Sequence, residues 1–199
     1  GPSGFTEGAS LGWGRTSGAV VADLDGDGDG DVVLARNHRD GNRNEEVDLD
    51  GTLVFRNDGE DWEPVALPVG SMSARAAVPI DVDGDGDLDL VVVEDRYGAG
   101  STRVLRNEGD LSFVDATDDV GLPDDVAGFG AVAADFDGDG ATDLFVAGSN
   151  RLFAGDDGRL REVDAGVFAW PQEGNEDDVT GVTATDVDAD GDLDLVLGP

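Results

Sequence analysis

Four evenly spaced copies of one aspartate-rich loop limit what this chain can fold into more than any other feature. The clearest copy is Asp81-Val82-Asp83-Gly84-Asp85-Gly86-Asp87-Leu88-Asp89-Leu90, which runs straight into Val91-Val92-Val93. Its carboxylates fall at relative positions 1, 3, 5 and 9, with glycine at position 6. Oxygen ligands on alternate residues can point into one concavity, and glycine permits the sharp turn that closes it, so the spacing suits a hard cation. Without a counter-ion such closely packed carboxylates would repel one another. The same pattern recurs over 23–31, 135–143 and 186–194.

The first aspartates, Asp23, Asp81, Asp135 and Asp186, are 58, 54 and 51 residues apart, the period of a blade or solenoid repeat. Each loop follows a small-residue β segment: Ala19-Val20-Val21-Ala22, Ala77-Val78-Pro79-Ile80, Ala131-Val132-Ala133-Ala134 or Val182-Thr183-Ala184-Thr185. Each precedes a continuous apolar run, at 32–35, 90–93, 144–147 or 195–197. Runs apolar on both faces predict strands buried from both sides. A third strand is expected at 52–57, 102–107 and 151–154, ending in Asn57-Asp58-Gly59, Asn107-Glu108-Gly109 and Asp156-Asp157-Gly158, which is turn chemistry. A more polar fourth strand follows at 62–67, 112–117 and 160–164. No 3.6-residue periodicity is visible. The expected fold is therefore all-β, a β-propeller of four-stranded antiparallel blades, with about three and a half to four blades in this chain.

Residues 1–3 read as the remnant of a cleaved tag, and 4–199 as one propeller or a portion of one. An outer strand is expected at about 4–10, with repeats at about 13–67, 68–117, 122–164 and 179–199. Three arrangements fit that strand count: a compact ring with one thin blade, a portion of a larger propeller, or a half that completes itself with a second copy. The break inside a repeat favours a portion. Two segments depart from the repeat, 37–51 and 170–178. Long loops on a rigid scaffold are where binding residues concentrate, so these are the expected places for a protein or glycan ligand.

Aspartate and glutamate total 46 against 12 basic residues, all arginine, for a net charge of −34. That field repels nucleic acid and anionic membrane surfaces. No apolar run approaches the ~20 residues of a membrane helix, and no membrane insertion is expected. Four divalent ions would bring −34 only to about −26, and an acidic, lysine-free surface resembles those of proteins adapted to high salt. There is no cysteine, one histidine, His38, and one tyrosine, Tyr97. Nucleophile and base pairs thus have almost no candidates, and no catalytic residue is assigned.

The expected metal ligands are the carboxylates at positions 1, 3, 5 and 9 and the backbone carbonyl at position 7. They are Asp23, Asp25, Asp27, Asp29 and Asp31 in the first loop, and Asp81, Asp83, Asp85, Asp87 and Asp89 in the second. The third has Asp135, Asp137, Asp139, Ala141 and Asp143; the fourth has Asp186, Asp188, Asp190, Asp192 and Asp194. An EF-hand shares the first half of this pattern but requires glutamate at position 12. Here position 12 is Leu34, Val92, Val146 or Leu197. All-oxygen sites favour calcium, up to four ions, over zinc or copper, and magnesium's strict octahedral demand disfavours it.

The pattern Asp-x-Asp-Gly-Asp-Gly-x-x-Asp-Leu after a small-residue strand, with Phe129-Gly130-Ala131-Val132 before the third loop and an Arg-Asn-x-Gly hairpin after two of them, resembles the FG-GAP/VCBS repeat family. Such repeats form the calcium-binding blades of integrin α-subunit propellers and of many secreted or cell-surface microbial proteins. The resemblance implies calcium in the hairpin between the first two strands of each blade, in a structural role. It departs at Ala189, where position 4 is not glycine. The expected function is a non-catalytic, calcium-stabilised recognition or adhesion scaffold outside the cell or at its surface. The alternatives are the propeller portion of a larger secreted enzyme acting on polysaccharide, and a repeat array engineered for propeller assembly.

Overall fold

The structure, a computed structural model, describes residues 8, 10–11, 16–37, 52–59, 61–70, 72–98, 100–163 and 179–198. The first blade comprises β1 (Thr16–Ala22), β2 (Asp31–Arg36), β3 (Leu53–Asn57) and β4 (Trp62–Ala66). The second comprises β5 (Ala74–Ile80), β6 (Asp89–Glu94), β7 (Arg103–Asn107) and β8 (Phe113–Asp115). A single helical turn, α1 (Thr117–Val120), follows. The third blade is β9 (Gly130–Ala134), β10 (Asp143–Ala147), β11 (Arg151–Asp156) and β12 (Arg159–Glu162), and the fourth is β13 (Gly181–Thr185) with β14 (Asp194–Gly198). Among the described residues three sheets are four-stranded antiparallel meanders and one has two strands. The chain is all-β in propeller-like blades, as the repeat predicts.

The alternation of side chains along a strand explains how the blades stack. In β6, Leu90 and Val92 join a core with Val33, Ala35 and Val54 of the first blade, while Val91 and Val93 join another with Leu144, Val146 and Phe153 of the third. Phe145 and Ala147 turn the opposite way, towards Val179, Val182, Leu195 and Leu197. The middle strands of blades two and three are accordingly buried along their whole length. The inner strands β1, β5, β9 and β13 contact one another in that order. Pro79 sits on inner strand β5 at the edge of its sheet, where its missing N–H breaks no ladder. At the two ends the same alternation leaves apolar side chains in the open: Val21 of β1 is 66% exposed on the first blade and Val196 of β14 is 45% exposed on the fourth, where the loop residue Val187 is 64% exposed as well.

Several boundaries differ from expectation, among them the ends of the fourth strands of blades one and three, at Ala66 rather than 67 and at Glu162 rather than 164. The fourth strand of blade two ends at Asp115 rather than 117, because Thr117 opens α1. Thr117 Oγ1 donates to Asp115 Oδ1 and accepts from Val104 N, which diverts the chain inward. The turn buries Val120, with Leu122 and Val126, between blades two and three. One turn is too short to show helical periodicity. The third strand of the third blade runs two residues beyond 154, to Asp156. Most of the outer strand at 4–10, the insertion beyond Asn37 that carries His38, and the segment 170–178 lie outside the described residues.

Candidate metal centre

Each aspartate loop joins the first two strands of its blade, and its backbone turns its own N–H groups onto its carboxylates. The position 1 carboxylate accepts from the position 6 glycine: Gly28 N to Asp23 at 3.0 Å, Gly86 N to Asp81 at 3.2 Å, Gly140 N to Asp135 and Gly191 N to Asp186 at 3.0 Å. Position 3 accepts from the N–H of position 5, as in Asp27 to Asp25, Asp85 to Asp83, Asp139 to Asp137 and Asp190 to Asp188. Position 5 accepts from position 7 in every copy. Four sequences with different neighbours thus fold into one hydrogen-bond pattern, because aspartate bonds readily to backbone two residues on.

Position 6 has φ between 93° and 99° in all four loops, a region that glycine alone enters freely. Position 4 is left-handed, with φ of 74°, 75° and 77° at Gly26, Gly84 and Gly138 and 63° at Ala189. Alanine in that region costs roughly 1–2 kcal/mol. Ala189→Gly is therefore expected to stabilise the fourth blade by about 0.5–1 kcal/mol, net of the extra freedom of the unfolded chain. Slower hydrogen exchange in β13 and β14 is the measurement, and unchanged or faster exchange would count against it.

Position 9 has a second role that the spacing did not disclose. Asp89 is fully buried and accepts two backbone N–H groups, from Val82 at 2.9 Å and from Asn107, the last residue of β7, at 2.8 Å. Asp31 does the same with Leu24 and Asn57, and Asp143 with Phe136 and Gly155. Asp194 accepts from Val187. In the first three blades this carboxylate ties the loop to the end of the third strand. Burial pushes the Asp89 carboxyl up to about 6, against the N–H groups of Asn107 and Val82, which favour the ionised form. Burial, then the Asp31 charge, likewise raises Asp25.

The carboxylates whose oxygens lie mutually within 4.8 Å are Asp23, Asp25 and Asp27 in the first loop, and Asp81, Asp83 and Asp85 in the second. In the third they are Asp135, Asp137 and Asp143, and in the fourth Asp186, Asp188 and Asp194. Positions 1 and 3 converge in every loop, joined by position 5 in the first two and by position 9 in the last two. The side chains of Asp29, Asp87 and Asp192 stand outside these groups, with Ala141 at the same position in the third loop. Such an all-carboxylate donor set fits a calcium-type cation. Position 12 lies within β2, β6, β10 and β14, so strands flank each of these four loops and none of the four is an EF-hand.

Sequence reasoning read the Arg-Asn-x-Gly segments only as hairpin turns. Asn107 Nδ2 donates to the carbonyl of Leu88 at 3.3 Å and to that of Leu24, in the neighbouring blade's loop, at 2.7 Å. Asn57 Nδ2 donates to the Gly30 carbonyl. Arg56 and Arg106 reach the position 3 carboxylates Asp25 and Asp83. The recurring arginine-asparagine pair was the available signal. Its partners are 19 to 83 residues away in sequence, beyond local inference.

No curated protein matches this chain significantly. The family model for the FG-GAP-like repeat matches twice, over residues 23–92 and 81–146, each match spanning two successive aspartate loops and the strands between them. With the repeated blade and its loop geometry, those matches place the chain in the FG-GAP-like repeat family.

Proposed function

We propose that the four loops bind calcium and that the metal braces each blade rather than taking part in chemistry. The observation that carries this is the convergence of three carboxylates within 4.8 Å in all four loops. Such groups repel one another when ionised, and a divalent cation held by oxygen ligands removes that cost in the folded chain alone. When bound, the metal supplies positive charge and a fixed coordination geometry. The residues do the rest: positions 1 and 3 present oxygens together with position 5 in the first two loops or position 9 in the last two, glycine at position 6 turns the backbone, and in the first three blades position 9 anchors the loop to the third strand. Calorimetric titration of the metal-depleted chain is expected to show close to four calcium ions bound, with magnesium at equal concentration displacing few of them. Fewer than two ions, or equal binding of magnesium, would overturn the reading.

The scaffold so braced is proposed to serve recognition or adhesion outside the cell, without catalysis. The FG-GAP-like repeat supports this, since the repeat is typically non-catalytic, as does the net charge of −34, which disfavours nucleic acid and anionic membranes. The segments 37–51 and 170–178, which depart from the sequence repeat, are the proposed contacts for a protein or glycan. Replacing 38–50 by a short glycine-serine linker should abolish ligand capture on a glycan or surface-protein array and leave the melting temperature within about 2 °C. Capture that survives removal of both segments would refute their role.

A further inference from the structure

The hydrogen bonding of the first three blades differs at one place beside their loops. Asn57, Asn107 and Gly155 occupy one position, each donating its N–H to the position 9 carboxylate of its blade. The preceding residue is Arg56, Arg106 or Ala154. In blade one, Arg56 Nε lies 3.2 Å from Asp25 Oδ2, although it makes no hydrogen bond, so the contact is one of charge. The guanidinium is held there from the far side by the carbonyl and carboxylate of Asp110 in blade two. In blade two, Arg106 Nε stands 3.9 Å from Asp83 Oδ2, and its strongest partner is instead Glu108 at 2.7 Å. In blade three the buried Ala154 brings no charge.

We propose that Arg56 is a built-in counter-cation for the first loop, with Arg106 a weaker one for the second, so that the four calcium sites are unequal. The inference rests on the calcium reading above. A guanidinium is always charged and carries no acceptor, so a divalent ion entering the first loop must share Asp25 with it or displace it. Without metal the same arginine relieves the repulsion among Asp23, Asp25 and Asp27. The first loop thus holds its shape without calcium and fills last. The third, with Ala154 at the arginine's position, depends on calcium and fills before the first two. The convergent carboxylates follow the same division: positions 1, 3 and 5 gather where the arginine is present, and positions 1, 3 and 9 where Ala154 replaces it.

The test uses the full chain, with melting in EDTA and calorimetric calcium titration at low salt. Arg56→Gln should lower the melting temperature in EDTA yet tighten the weakest calcium site by about tenfold, two effects of opposite sign. Glu108→Ala, a surface change, should free Arg106 for Asp83 and weaken one site by about threefold. Asp110→Asn removes the charge but keeps the carbonyl and an amide oxygen as acceptors for Arg56, which holds the guanidinium by Asp25, so it should lower melting alike with and without calcium. Binding unchanged within twofold in both Arg56→Gln and Glu108→Ala, or an Asp110→Asn variant that reproduces Arg56→Gln in both readouts, would overturn the proposal. If the wild-type chain binds no calcium, the reading of the function fails. The EDTA melts then still decide the counter-cation role, which falls if Arg56→Gln is as stable as wild type.

Discussion

Chelating calcium with EDTA at fixed ionic strength is expected to lower the melting temperature by more than about 10 °C. A ligand bound only by the folded state contributes about 2.7 kcal/mol per site at a free concentration one hundred times its dissociation constant. Each kcal/mol moves the midpoint of a chain this size by about 2–4 °C. Two filled sites alone would exceed the stated shift. The effect should be graded along the chain: the fourth blade, with two strands among the described residues and Val196 exposed, should lose hydrogen-exchange protection before the middle strands of blades two and three, which are buried on both faces. Identical melting curves with EDTA and with calcium would remove the structural role for the metal.

The second large effect concerns Asp89 and does not depend on metal. Asp89→Ala leaves the N–H groups of Val82 and Asn107 buried without an acceptor, at about 1–3 kcal/mol each. A loss of about 3–5 kcal/mol is expected, measured by urea denaturation in EDTA so that no ligand is lost at the same time. Asp89→Asn keeps one acceptor oxygen and should fall between wild type and alanine. Asp87→Ala, two residues away on the exposed part of the loop, should stay within about 0.5 kcal/mol. A loss under about 1 kcal/mol for Asp89→Ala would show that the two N–H groups find other partners.

These two expectations mark where the one-dimensional pattern sufficed and where it did not. The blade repeat was legible because alternating aspartates, glycine at position 6 and apolar runs are local requirements. Gly86 must turn at φ 95° whatever surrounds it, and Leu90, Val91, Val92 and Val93 must all be buried if both faces of β6 are covered. The anchoring by Asp89 was not legible, because its second donor, Asn107, belongs to another strand. The diversion of the chain into α1 at Thr117 was hidden for a similar reason: Val104 N, from β7, completes the hydrogen bonding of its hydroxyl.

By itself, then, the sequence determined the blade: its period, the order of its strands, the loop between the first two, and the carboxylates that crowd there. Local φ preferences and the two-residue alternation of a strand are enough for that. Only the tertiary structure decided which carboxylates converge in each loop, that position 9 holds the third strand, and that Arg56 and Arg106 lean on two loops and not on the third. Those outcomes depend on strands brought together from different parts of the chain, where distance and burial rather than spacing set the strength of each contact.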